Sequence, residues 1–115
     1  MAIFTGCGVA LVTPFLSDGS TDFKTYADLI EWQISEGIDA IISCGTTGEA
    51  SALSNEEHIE TVKYCVDVVA GRVPVIAGAG SNDTRHGVDL AQKIEEVGAD
   101  ALLLVTPYYN KCSQE

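Results

Sequence analysis

Positive charge is what this chain has least of. Six Lys and Arg stand against 17 Asp and Glu in 115 residues, for a formal net charge of −11. A surface so acidic repels nucleic acid and anionic membrane alike, so neither is expected as a partner. Long apolar runs are missing too, and none approaches the length that spans a bilayer. Met1-Ala2-Ile3-Phe4 carries no basic n-region, so a cytoplasmic chain is expected. Cysteines stand at 7, 44, 65 and 112, with no Cys-x-x-Cys pair and no histidine at ligand spacing. No metal site is expected, and a reduced compartment suits four unpaired thiols. Cys65 reads as core packing and Cys112 as exposed. Proline occurs three times and no low-complexity segment divides the chain. One domain over residues 1–115 is expected, with 46% hydrophobic residues to build a core.

What is present is an alternation of short apolar runs and helical periods. Gly8–Val12 reads as a strand closed by Thr13-Pro14. A helix is expected from about Asp22 to Glu36, with Phe23, Tyr26, Ala27, Ile30 and Ile34 on one face and Gly37 after its end. Ala40–Ser43 is the second strand. Ser54-x-x-Glu57 is a capping box, and the helix behind it carries Ile59, Val62, Cys65, Val66 and Val69 on one stripe. Pro74–Ala77 is the third strand. Asn82 or Asp83 caps a third helix, Thr84–Val97, with Leu90, Ala91, Ile94 and Val97 apolar. Ala101–Val105 is the fourth strand.

The order β-α-β-α-β-α-β means a parallel sheet with helical crossovers. Two short repeats support like units. Gly37-Ile38-Asp39-Ala40 returns as Gly98-Ala99-Asp100-Ala101, each before a strand. Val12-Thr13-Pro14-Phe15 returns as Val105-Thr106-Pro107-Tyr108, each after one. The expected fold class is α/β, the N-terminal half of a (β/α)8 TIM barrel with four parallel strands and three helices. A whole barrel needs about 250 residues. An open sheet of flavodoxin type is the alternative, although near-identical units favour the barrel sector.

Candidate chemistry lies in Cys44-Gly45-Thr46-Thr47-Gly48-Glu49, directly after the second strand. The carboxyl edge of a parallel sheet is where ligands bind. Glycines let the backbone turn its N–H groups toward an anion, and two threonine hydroxyls add donors, which suits a small carboxylate or phosphate. The plainer reading is a tight turn that needs glycine. Gly78-Ala79-Gly80 is a second such loop, and a phosphate site there lacks the Gly-x-Gly-x-x-Gly or Gly-Lys-Ser/Thr spacing. His58 and His86, taken locally, read as solvated helix residues. Tyr108 and Tyr109 read locally as amphipathic rim residues.

Gly45-Thr46-Thr47-Gly48-Glu49, Val75-Ile76-Ala77-Gly78-x-Gly80-Ser81-Asn82 and Thr106-Pro107-Tyr108-Tyr109-Asn110, in this order and spacing, resemble the dihydrodipicolinate synthase family. N-acetylneuraminate lyase is a related alternative, which usually pairs serine with threonine where this chain has Thr46-Thr47. The resemblance implies condensation of pyruvate with aspartate semialdehyde through a lysine Schiff base, in lysine biosynthesis and without a cofactor. It implies that Thr46 and Thr47 hold the pyruvate carboxylate. Thr46 and Tyr109 belong to a proton relay, and Tyr108 reaches across a dimer interface. It also places His58, Asn82 and Tyr108 at a lysine-effector site, where His86 stands in place of the usual glutamate. Cys7 and Ala79 replace a usual serine and threonine. The Schiff-base lysine of the family lies on strand six, and Lys24, Lys63, Lys93 and Lys111 do not match it. Lys111, expected on the ligand-side rim, is the one substitute nucleophile the sequence offers. These 115 residues are therefore expected to be inactive alone, and to form a homo-oligomer or meet a complementing C-terminal half.

Overall fold

The computed structural model describes residues 1–110, 112 and 113. Four strands and three helices alternate: β1 (Gly8–Ala10), α1 (Phe23–Ser35), β2 (Ala40–Ser43), α2 (Asn55–Val69), β3 (Val75–Gly78), α3 (Thr84–Glu96) and β4 (Ala101–Leu103). A short 3₁₀ turn, Ala50–Ala52, precedes α2. The sheet order is β1-β2-β3-β4, all parallel. Strand order equal to chain order is the winding of a barrel sector, and the doubly wound alternative falls with it.

The helices start where side chains satisfy their orphan N–H groups. Asp22 accepts from the Thr25 amide at the head of α1. At α2 both halves of the capping box form: the Glu57 amide donates to Ser54 Oγ, and Glu57 accepts from the Ser54 amide at 2.7 Å. Asp83, not Asn82, caps α3 by accepting from the Arg85 and His86 amides. Chain reversal after α2 uses Ala70 at φ 50° followed by Gly71 at φ 74°.

Alternation along each strand divides the side chains between two faces. Ile41 and Val75, paired in register, turn to the helices and join Tyr26, Ile30, Cys65 and Val69 in one buried cluster. Ala77 joins Val62, Leu90 and Ile94 in a second. The helix stripes read from the sequence are those that pack. Ile42 and Ile76, one step along, lie on the other face and are half-buried.

Both edge strands stop two residues short of the sequence expectation, β1 at Ala10 and β4 at Leu103. Strand geometry needs a ladder, and β2 leaves its own at Ser43 for the loop. Val12 is consequently exposed, as are Leu104 and Val105.

The Gly-x-Asp-Ala repeat has a structural meaning. Asp39, just before β2, accepts from the Cys7 amide at 2.8 Å and returns its own N–H to the Cys7 carbonyl. Asp100, just before β4, does the same to Val75, with its carboxylate 2.8 Å from the Val75 amide. Each aspartate thus ties the start of its strand to the start of the preceding one.

Candidate functional site

The carboxyl ends of β2, β3 and β4 open onto a cavity of about 580 Å³. Thr46, His58, His86 and Tyr108 line it, with Ser51 and Asn55 from the segment entering α2. Among the described residues no Asp or Glu lines it, although the chain carries 17.

The loop from Cys44 to Glu49 is held in a strained shape. Cys44 (φ 53°) and Glu49 (φ 56°) both adopt the left-handed region that residues with a Cβ avoid. The Glu49 amide donates to the Thr46 carbonyl at 3.0 Å, and the Ala50 amide to the Gly45 carbonyl at 3.3 Å. Gly48 is buried, and a Cβ there would meet Cys44 Cα and the Leu11 carbonyl, each at 3.1 Å. Thr46 and Thr47 are exposed at the crest. Their hydroxyls make no hydrogen bond among the described residues, so both are open to a ligand.

Beneath the crest the packing is tight. Gly78 ends β3 against β2, where a Cβ would stand 2.0 Å from the Cys44 carbonyl oxygen. The His58 ring reaches the same place, with Nε2 2.7 Å from the Gly78 carbonyl. Only an Nε2–H can donate to a carbonyl, so the tautomer is assigned. His58 is 6% exposed, which corrects its local reading as a solvated residue. Tertiary contact, not helix position, decides its environment. Burial lowers its pKa, the Gly78 carbonyl pulls the other way, and His86 nearby adds to the lowering. The ring is therefore neutral at pH 7.

Behind the loop, Tyr26 Oη lies 2.8 Å from Ser43 Oγ, both fully buried. Burial pushes the Tyr26 phenol well above its usual range. The Cys44 and Cys65 thiols are raised by burial to about 11 and about 12. Neither cysteine is a thiolate nucleophile, and Cys65 packs in the core as its stripe position implied. Cys112 is exposed.

The structure gathers Thr46, His58 and Tyr108 around one cavity. Asn82 stands beside it, its Nδ2 donating to the Tyr108 carbonyl at 3.4 Å. Thr47 and Tyr109 are not on the lining. Tyr109 is 95% exposed, with φ 67°. Lys24, Lys63 and Lys93 lie on outer helix surfaces in i,i+4 ion pairs with Asp28, Asp67 and Asp89, away from the cavity. Lys111 lies outside the described residues. Ser51 and Asn55 line the cavity without having been singled out in the sequence, and Ser81, quoted only within its motif, joins them. Their position at the starts of α2 and α3, directly after the two glycine loops, was the available signal.

The profile of the Dihydrodipicolinate synthetase family matches residues 3–115. This chain belongs to that family. Among curated relatives, the 4-hydroxy-tetrahydrodipicolinate synthase of Acetivibrio thermocellus is 60% identical over 98% of this chain and 38% of its own length. The synthase of the same name from Thermoanaerobacter sp. is 55% identical over 100% of this chain and 38% of its own length. Among solved structures, the chloride-inhibited dihydrodipicolinate synthase of Acinetobacter baumannii, complexed with pyruvate, is 50% identical. It superposes with a TM-score of 0.95 over 98% of this chain and 38% of that one. The chain thus spans about 38% of the length of the family members it matches, and its four strands and three helices are the first part of the family's TIM barrel.

Proposed function

We propose that these residues form the carboxylate-holding half of a pyruvate-condensing site, in an enzyme that joins pyruvate to aspartate semialdehyde for lysine biosynthesis in the cytoplasm. The observation that supports this most is the Gly45–Gly48 loop, whose two threonine hydroxyls are unengaged among the described residues at the carboxyl edge of a parallel sheet. Thr46 and Thr47, with the loop amides, are the donors to the pyruvate carboxylate. Oriented N–H and O–H groups on a strained loop pay little reorganisation cost when an anion arrives. In an acidic chain, a cavity with no carboxylate among its described lining residues is where an anion can approach.

In this reading a lysine amine condenses with the pyruvate ketone and releases water. That lysine belongs to the later strands of the barrel, as do the remaining groups of the site. Thr46 and Tyr109 pass protons between the substrate and solvent in the assembled enzyme, since hydroxyls can relay a proton without carrying a standing charge. Tyr108, exposed at the rim, meets a neighbouring subunit. His58, Asn82 and Tyr108 form an effector site, in which His86 cannot offer an ammonium group the anionic partner that a glutamate would. Lysine is accordingly a weak effector or none.

Borohydride reduction in the presence of pyruvate, read by intact mass, tests the assignment. The 115 residues alone should take up no adduct, whereas pyruvate should perturb the Thr46 and Thr47 amide resonances. A stable adduct would place the nucleophile within this chain, and Lys111→Ala would then identify it. A second reading is self-association. It is favoured by the exposed apolar run Leu102 to Val105, along and just beyond the edge strand β4. A single-chain mass by light scattering at micromolar concentration would overturn it.

A further inference from the structure

Thr13 lies three residues beyond the end of β1, and the reaction scheme gives it no role. It is 3% exposed. Its Oγ1 donates to the carbonyl of Gly48 at 2.7 Å, across 35 residues of sequence. No other described donor reaches that carbonyl. Gly48 packs closely against Cys44 and the Leu11 carbonyl, which a Cβ there would meet at 3.1 Å each. The other end of the loop is anchored independently, by Tyr26 through Ser43. Between the two anchors only Thr46 and Thr47 project to solvent.

We propose that Thr13 is a positioning residue for the Thr46-Thr47 carboxylate site, acting through its hydrogen bond to the Gly48 carbonyl. The inference rests on the reading of that loop as a carboxylate site. A buried carbonyl that loses its donor seeks another partner. Gly48 would then rotate toward water, and Glu49, left-handed and bonded back to Thr46, would relax with it. The Thr46 and Thr47 hydroxyls would lose their fixed placement on the crest. A strained loop needs anchors outside itself, and Thr13 is the one that touches its far end.

Two variants of nearly equal shape separate the hydroxyl from the methyl group: Thr13→Val deletes the donor and Thr13→Ser keeps it. Amide hydrogen exchange reads the loop through the bonded amides of Glu49 and Ala50, with Leu90 and Ile94 of α3 as distant references. Thr13→Val should speed exchange at Glu49 and Ala50 by about tenfold, leave α3 within about twofold, and weaken pyruvate binding by about tenfold. Thr13→Ser should restore both. Unchanged exchange at Glu49 and Ala50 in Thr13→Val would overturn the proposal. Equal acceleration at Leu90 and Ile94 would overturn it too, by showing a role in global stability. Loop exchange that responds as expected, in a chain whose Thr46 and Thr47 amides ignore pyruvate, would establish the anchor and overturn the carboxylate reading.

Discussion

Two four-residue turns of nearly the same sequence end differently in this molecule. Val12-Thr13-Pro14-Phe15 follows β1, and its threonine is buried on the Gly48 carbonyl. Val105-Thr106-Pro107-Tyr108 follows β4, and its threonine is exposed with no side-chain hydrogen bond among the described residues. The difference lies in what stands next to each. Both turns stand at a sheet edge, but the first has the following strand, β2, and its loop beside it, whereas the second has only the preceding strand, β3. The Gly-x-Asp-Ala repeat makes the converse point. Asp39 and Asp100 reach back to a preceding strand that is present in both cases, and their bonds are alike. Repeated sequence gives repeated geometry only where the neighbouring unit is there to receive it.

The largest test contrasts two glycines. A Cβ at Gly78 meets the Cys44 carbonyl oxygen at 2.0 Å, between two packed strands. At Gly80 it meets Val105 Cγ1 at 2.3 Å and the Val105 backbone nitrogen at 2.8 Å, on the exposed tail of β4. Gly78→Ala should cost about 3 kcal/mol in urea unfolding, since the strands cannot part. Gly80→Ala should cost about 1 kcal/mol, because the tail can shift. Equal costs would mean that the β4 end is as firmly held as the centre.

Next come the two threonines. Thr13→Val should lose about tenfold of the protection at the Glu49 and Ala50 amides, the local cost of a buried carbonyl left unpaired. Thr106→Val should leave those amides and the stability to urea within about 0.5 kcal/mol of wild type. The same exchange series checks both, and a cost at Thr106 would show that the edge is covered in solution. The aspartate ties should behave alike. Asp39→Ala and Asp100→Ala should each cost about 1 kcal/mol, the Asp100 change slightly more because its bond is partly buried.

The smallest effect is a pH dependence from His58. Its folded pKa lies below the ordinary 6.5. Above that value both folded and unfolded chains hold it neutral, so it contributes no slope. As pH falls below about 6.5, the unfolded chain takes up a proton that the folded chain resists, and stability drops. Urea midpoints at about pH 7.5 and about pH 5.5 should therefore differ, and His58→Gln should shrink the difference. An unchanged difference in the variant would assign the slope to other groups.

The sequence by itself determined the elements, their order and the capping of α2, because these depend on contacts three or four residues apart. Tyr26, Ile30, Val62, Cys65, Leu90 and Ile94 could be placed in the core from helical spacing alone. The glycine loops were legible as the ligand edge because glycine marks close backbone approach. Tertiary structure alone decided that the edge strands stop early and that His58 is buried on Gly78. The partner of Thr13 and the squeeze of Gly78 against Cys44 were also beyond local reading. Those contacts join residues 20 to 35 positions apart. Periodicity and propensity act within a few residues, whereas a neighbour brought in by the crossover of a parallel sheet leaves no local mark on the chain.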